Sequence, residues 1–227
     1  MSEKHNIDFD EFNCINSSNK ETFKEMSFDK TNKVHLVQSE NLAFNFDKIH
    51  HKFASKKSVS TTSTCDSIYY DDNEFYFIEF RNVPSKKRTI PQEIIKKMIH
   101  SYLNFNDLLI EENYLKYNFE SYKIEKNFIF VYSKEKTLEH NKKGMEQMKH
   151  EDSEKETENN QHRNRYKGKE IEDIMKEYVK PYKSKLYKKI LFVDNISFEK
   201  NYAPDFNKFI IWLVKIGSKA NINMQTS

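Results

Sequence analysis

The 227 residues are 37% hydrophobic and 14% aromatic, enough apolar side chain to bury one core of ordinary domain size, which excludes a wholly disordered chain. Charged residues make up 32%, yet 38 basic side chains against 35 acidic ones leave a net charge of +3, so global charge specifies no polyanionic partner. The three glycines, Gly144, Gly168 and Gly217, stand too far apart for a phosphate loop or a dinucleotide fingerprint, both of which need several glycines within a few residues.

The opening MSEKHNIDFDEF carries no apolar run of signal-peptide length, and the apolar run at 209–216 is far shorter than a membrane span. The expectation is a soluble, cytoplasmic protein with no membrane partner. Cys14 and Cys65 are too few for a zinc ribbon and read as reduced thiols. Residues 1–33 hold isolated aromatics (Phe9, Phe12, Phe23, Phe28) without a clear period and read as a poorly ordered N-terminal arm. A core follows over 34–133. It begins with an extended segment at 35–37 and a strand-to-helix or strand-to-turn stretch at 42–49, then a Ser/Thr-rich loop at 55–64.

The pattern sharpens at SIYY (67–70), DDNE (71–74) and FYFIEFR (75–81), which together read as a β-hairpin with a tight turn. From Pro91, Ile94, Ile95, Met98, Ile99, Tyr102, Leu103, Leu108 and Leu109 follow helical steps and predict a helix over 92–110. FIFVY (128–132) and KLYKKILFV (185–193) predict buried strands. Between them, 134–169 contains 10 basic and 8 acidic residues and few large apolar ones, and reads as a charged, flexible insertion. A nucleic-acid-binding flap on Arg163, Arg165, Lys167 and Lys169 is the alternative. A helix at 170–180 and the segment to 227 complete the core, with Trp212 read as core or as a partner anchor. Strands, hairpin, helix, strand, helix and strand in that order predict an α/β fold with a mixed sheet of four or five strands flanked by helices.

In such a hairpin, residues whose numbers sum to 145 face one another, so Asp66 lies opposite Glu79. Two like charges on directly opposed positions repel unless a cation lies between or beside them. Arg81 projects from the same face by the two-residue period of a strand. Carboxylate, carboxylate and cation set among aromatic neighbours need a reason to be there.

Asp66, followed after an aromatic strand by Ile78-Glu79-Phe80-Arg81-Asn82, resembles the motif of the PD-(D/E)XK, restriction-endonuclease-like, phosphodiesterase superfamily. CDSIYY, FYFIEFRN, the lysine-bearing helix IIKKMIHSYLNFNDLL, FIFVYSKEK and LYKKILF extend the likeness to a group of uncharacterised bacterial proteins that usually carry IEFKN. It covers about residues 42–135 and 180–206. The resemblance implies a restriction-endonuclease-like central mixed sheet and a magnesium or manganese ion held by Asp66, Glu79 and the backbone carbonyl of Phe80. It also implies catalysis by Asp66, Glu79 and the residue at 81, and a nucleic-acid substrate in bacterial defence or mobile-element biology.

The family's lysine is Arg81 here, and a guanidinium stays protonated where an amine can lose its proton. Only four of the 38 basic residues are arginine, at 81, 88, 163 and 165, so a planar fork at 81 invites two accounts. It holds a phosphate in a working site, or it clamps Glu79 in a site that has lost catalysis. The proline that usually precedes the first aspartate is replaced by Thr64-Cys65, and Glu40 and Asp47 are the candidates for the acidic residue of the first helix. Gln92, Lys96 and Lys97, with His100, are candidates for contacting phosphate, against the competing reading of a solvated helical face. His50 and His51 are not read as a metal site, nor Cys65 as a nucleophile. Two functions remain open: a metal-dependent phosphodiesterase acting on nucleic acid, and a catalytically inactive nuclease-fold binding or immunity-type protein acting through a protein partner. The oligomeric state is not readable.

Overall fold

A computed structural model describes residues 9–71, 74–83, 90–114, 124–139, 142, 179–182 and 185–202. In chain order the elements are α1 (Phe9–Asn16), a 3₁₀ turn (Ser17–Asn19), β1 (Lys20–Thr22), α2 (Phe23–Met26), β2 (Phe28–Asp29), β3 (Val34–His35) and β4 (Leu42–Asn45). There follow α3 (Phe46–Lys57), β5 (Ser67–Asp71), β6 (Glu74–Arg81), α4 (Ile90–Glu111), β7 (Glu125–Tyr132), β8 (Lys189–Asp194) and α5 (Asn195–Asn201).

Among the described residues the strands form a six-stranded sheet in the order β1-β4-β5-β6-β7-β8, beside a small β2-β3 ribbon. β1, β4, β5 and β6 are mutually antiparallel along the sheet, whereas β7 runs parallel to β6 and β8 parallel to β7. Parallel neighbours need a long crossover, and α4 supplies it between β6 and β7. The fold is therefore α/β with a mixed sheet flanked by helices, one strand wider than the expected four or five. The additional edge strand, β1, is the sequence Lys-Glu-Thr, with no alternation or branched run to announce it.

The alternation along β6 divides the core. Phe75 and Phe77 face one layer with Phe12, Phe46, Ile49, Ile94, Met98 and Phe105, under α1, α3 and α4. Ile78 and Phe80 face the other with Phe23, Leu36, Val37, Val193 and Phe198, under α2 and α5. The long aromatic strands are thus covered on both faces, which is why they read as continuous apolar runs.

The described part of the segment expected to trail as an arm is packed in from Phe12 onward. Phe12 is fully buried, with its ring 5.1 Å from Phe44 and 5.2 Å from Tyr114, and Lys20 to Thr22 pair with Phe44 to Leu42. Single aromatics spaced far apart carried no local period, and their burial depends on partners distant in sequence. Within the predicted 185–193 strand, the regular strand β8 begins at Lys189, after a single bridge at Tyr187, whose hydroxyl enters the core and donates to the Met98 carbonyl at 2.9 Å. The helix expected at 170–180 lies outside the described residues except for its last two positions, where Val179 is buried. Of the charged insertion only 134–139 and 142 are described, and they are helical; Trp212, Arg163, Arg165, Lys167 and Lys169 lie outside.

The buried face of α4 is Ile94, Met98, Ser101, Phe105, Leu108 and Leu109, rotated from the predicted stripe, so Leu103 is 52% exposed. Phe105 is the hub, its ring 4.8 Å from Phe75, 5.1 Å from Phe77 and 6.2 Å from Phe46. Phe105→Ala should cost about 3–5 kcal/mol of stability in urea unfolding, the range for truncating a buried phenylalanine. Leu103→Ala should stay within about 0.5 kcal/mol. Equal losses at the two positions would refute this helix orientation.

Candidate functional site

The hairpin ladder pairs Ser67 with Ile78 and runs outward to Asp71 opposite Glu74, the register in which paired numbers sum to 145. Asp66 is the next position beyond the ladder, at the carboxyl end of β6. Its place is fixed from four directions. Phe80 N donates to Asp66 Oδ2 at 2.6 Å, and the Asp66 backbone carbonyl accepts from Phe46 N at 3.1 Å, where α3 begins. The preceding Cys65 N donates to Ser101 Oγ at 2.8 Å, and the Thr64 hydroxyl donates to the Asp47 carboxylate. Helices α3 and α4 thus both grip the turn that delivers Asp66 to Glu79.

Glu79 points from β6 toward α4, on the face of Phe75 and Phe77, and is wholly buried. Both its oxygens are taken by cations. Arg81 Nε donates to Oε1 at 2.6 Å, and Lys97 Nζ donates to Oε2 at 2.8 Å while standing 3.5 Å from Asp66 Oδ1. Lys97 precedes Ser101 by one helical turn, so one edge of α4 addresses both the backbone before Asp66 and the two carboxylates. Exposure falls inward, from 36% of the Arg81 side chain through 21% for Asp66 and 13% for Lys97 to 1% for Glu79. The cluster opens to solvent on the Arg81 and Asp66 side.

Burial pushes the Glu79 carboxyl up to about 8, with the Asp66 charge adding to it, against the pull of Lys97 and Arg81. Asp66 is raised by burial as well, with Lys97 and the Phe80 amide pulling the other way and Asp47 adding a small push. Burial alone would lower Lys97, but the Asp66 and Glu79 charges hold it above the ordinary lysine range. Cys65, buried behind the site, is pushed well up by desolvation and is a packed thiol.

The expected residues separate into those the fold brings together and those it does not. Asp66, Glu79 and Arg81 converge. Lys97, expected to contact phosphate, donates a hydrogen bond to Glu79 and is ion-paired with Asp66. Gln92 and Lys96 are exposed, and among the described residues no hydrogen bond or ion pair joins them to the cluster. Of the two acidic candidates, Asp47 lies beside Thr64 at the site, whereas Glu40 pairs with Lys24 at 2.7 Å on the surface. His50 is buried and its Nε2 accepts from Thr62 N at 3.1 Å, a structural role. Ser101 escaped the sequence reading because a serine inside an apolar stripe breaks the period, and that break was the only available signal.

Comparison with known proteins returns no matching family model, no matching curated protein and no matching solved structure.

The donor set consists of oxygen ligands only, the type a hard divalent cation takes, although both Glu79 oxygens already accept from Arg81 and Lys97. The buried Glu79 and the half-buried Asp66 carboxylates lie on one face, and the edge of β6 that turns the Phe80 amide toward Asp66 turns the Phe80 carbonyl the same way. Among the described residues no three His, Cys, Asp or Glu side chains are arranged to hold a metal, so an ion here would rest on two carboxylates, one carbonyl and water.

Glu79 gives the fold a defined pH dependence. An unfolded glutamate titrates near 4.3, so between that value and about 8 the native state holds a proton the unfolded chain has released, and rising pH removes stability. The wild-type urea midpoint should therefore fall from pH 5 to 8 more steeply than that of Glu79→Gln, by up to about 1.4 kcal/mol per pH unit for one proton. Parallel profiles would mean that Glu79 ionises normally.

Proposed function

We propose that the Asp66–Glu79–Lys97 cluster is the site of a metal-dependent phosphodiesterase acting on nucleic acid. The observation that carries this reading is the Lys97 amine, held 2.8 Å from Glu79 and 3.5 Å from Asp66. It supplies from α4 the primary ammonium that the motif IEFRN lacks at position 81. Two carboxylates, a backbone carbonyl and a lysine at the carboxyl end of a central strand are the parts expected from the resemblance to the PD-(D/E)XK superfamily, and a restriction-endonuclease-like arrangement of the sheet belongs to the same proposal.

Asp66 and Glu79 would hold magnesium or manganese with the Phe80 carbonyl. The bound ion would supply Lewis acidity to a phosphoryl oxygen and make the attacking water more acidic. Lys97 orients that water and balances charge as the carboxylates release it. Arg81, more exposed than the rest, presents its guanidinium to the phosphate and cannot act as a base. Asp66 is held by the Phe80 amide at its carboxylate, by Phe46 N at its carbonyl and by Ser101 through the preceding Cys65, so the geometry is set before substrate arrives.

One observation favours the second reading, a nuclease-fold protein without catalysis that works through a protein partner. Both Glu79 oxygens are already satisfied by cations, a closed arrangement that a buried acid would adopt for structural reasons alone. Three of the four lysines of α3 lend nucleic-acid binding no support either, since Lys48, Lys56 and Lys57 are engaged by Glu21, Glu112 and Glu111, while Lys52 donates to Asn19 Oδ1.

The two readings part in a cleavage assay on single- and double-stranded DNA and RNA with magnesium or manganese. Wild type should cleave at least one substrate, Asp66→Asn should abolish cleavage, and Lys97→Met should lower it by about a hundredfold or more, the scale of removing one charged transition-state contact. Arg81→Lys should retain activity. Cleavage no greater in wild type than in Asp66→Asn, on every substrate and with either metal, would leave the binding-protein reading in its place.

A further inference from the structure

The β2-β3 ribbon is joined to the carboxyl end of β6, beside the candidate site. Phe28 pairs in register with His35 and Asp29 with Val34, so Asp29 and Val34 share one face of the ribbon while Phe28 and His35 share the other. On the first face Asn82 Nδ2 donates to Asp29 Oδ2 at 2.9 Å. Asn82 directly follows Arg81, so this anchor stands one residue from the guanidinium proposed to meet phosphate. The same carboxylate closes the ribbon's turn, accepting from Thr31 N at 2.9 Å, from Asn32 N at 3.2 Å and from the Asn32 side chain. These donors, the Asn32 side chain foremost, hold the Asp29 carboxyl down at about 2. The one acid of the ribbon is thus turned onto its own turn and onto Asn82.

What the ribbon leaves to solvent is basic and aromatic. Lys30 and Lys33 flank the turn, both exposed, and among the described residues neither ammonium makes a hydrogen bond or an ion pair. That separates them from Lys24 and from Lys48, Lys56 and Lys57, all of which meet glutamates. At the anchor a third ammonium, Lys136 Nζ, donates to the Asn82 carbonyl at 2.9 Å. On the opposite face of the ribbon Phe28 is 41% exposed, its ring 4.7 Å from that of His35. His35 Nδ1 donates to the Lys24 carbonyl at 2.8 Å, so α2 holds the imidazole against which the phenyl ring rests. An aromatic ring open to solvent beside two such lysines is the combination that binds a single strand of nucleic acid, the cations tracking the backbone and the ring stacking on an unpaired base. A duplex keeps its bases stacked on one another and presents no free face to the ring.

Resting on the phosphodiesterase reading, we propose that the β2-β3 ribbon is the arm that holds the substrate, and that it selects single-stranded nucleic acid, with Lys30 and Lys33 on backbone phosphates and Phe28 stacked on an unpaired base. The Asp29–Asn82 hydrogen bond ties the arm to the strand that carries Glu79 and Arg81, so a chain held by the ribbon lies at a constant distance from the site. Lysine contacts to phosphate carry no sequence information, and every base has a face on which a phenyl ring can stack. The arm therefore discriminates by strandedness and tolerates any sequence. DNA and RNA single strands share this chemistry.

The test is fluorescence anisotropy of the full chain with labelled short oligothymidylate, oligouridylate and a DNA duplex of equal length, in EDTA so that nothing is cleaved. Wild type should bind at least one of the single strands about tenfold or more tighter than the duplex, and the tighter of the two identifies DNA or RNA. Lys30→Gln/Lys33→Gln should reduce the slope of log affinity against log salt by about 1.4, roughly 0.7 for each phosphate contact to a single strand. Phe28→Ala should weaken single-strand binding about tenfold, within the range for losing one stacked base, leave the salt slope unchanged and be rescued by Phe28→Trp. Single-strand binding that is equal in wild type, Lys30→Gln/Lys33→Gln and Phe28→Ala would overturn the arm while leaving the phosphodiesterase to stand or fall by Asp66-dependent cleavage. Tighter binding of the duplex, sensitive to the two lysines and indifferent to Phe28, would overturn the selection of single strands. No binding of any probe by the wild type would overturn the arm whatever the cleavage assay shows. Ribbon-dependent binding of single strands without Asp66-dependent cleavage of them would remove the phosphodiesterase reading and establish the ribbon as a binding surface alone.

Discussion

A carboxylate facing the core from the middle of a sheet has to be neutralised, and the way Glu79 is neutralised organises this end of the molecule. Its oxygens receive Arg81 from its own strand and Lys97 from the helix that crosses above it. Removing one partner of a buried ion pair is far more damaging than replacing the whole set with apolar side chains. The cluster is thus an expensive way to fill space unless the charges have work to do. That asymmetry, more than any single distance, separates this site from the paired lysines and glutamates on the surface of α3.

The crossover from β6 to β7 makes the arrangement possible. A parallel pair requires a connection that returns to the starting end of the sheet, and α4 fills it while packing Ile94, Met98 and Phe105 against the face of β6 that carries Phe75 and Phe77. Glu79 lies on that same face, two residues beyond Phe77, so the side chain of α4 nearest the strand's end falls above it. Lys97 occupies that place because Met98 and Ser101 fix the rotation of the helix, one by burial and the other by holding the Cys65 amide. Packing and site are here one constraint: rotating α4 far enough to bury Leu103 would carry Lys97 off the carboxylates.

Much of the fold could be read from local pattern, and the parts that could not share a cause. The hairpin was legible because an aromatic run, four polar residues and a second aromatic run allow one register, and that register alone brought Asp66 opposite Glu79. The long helix was legible as an element but not in its rotation, because Ser101 sits where an apolar residue would be expected and Leu103 where a polar one would. Lysine is ordinary on an exposed helix face, so nothing in IIKKMIH distinguishes Lys97, which reaches the carboxylates, from Lys96, which faces solvent. The first thirty residues concealed their packing for a related reason. Phe12 is buried by Phe44, Phe75, Phe105 and Tyr114, and no window of local sequence contains those partners.

Position 81 joins the chemical question to the structural one. A lysine there would compete with Lys97 for the same carboxylate oxygens, leaving two flexible ammonium groups where one is enough. A guanidinium avoids the competition by binding Glu79 through Nε, its terminal nitrogens making no hydrogen bond among the described residues. The ammonium contact then comes from α4, where Lys97 meets both carboxylates at once. Arginine in the strand and lysine on the helix therefore divide the neutralisation of Glu79 between two positions. That division leaves a guanidinium at the more exposed side of the cluster and an ammonium between the two carboxylates.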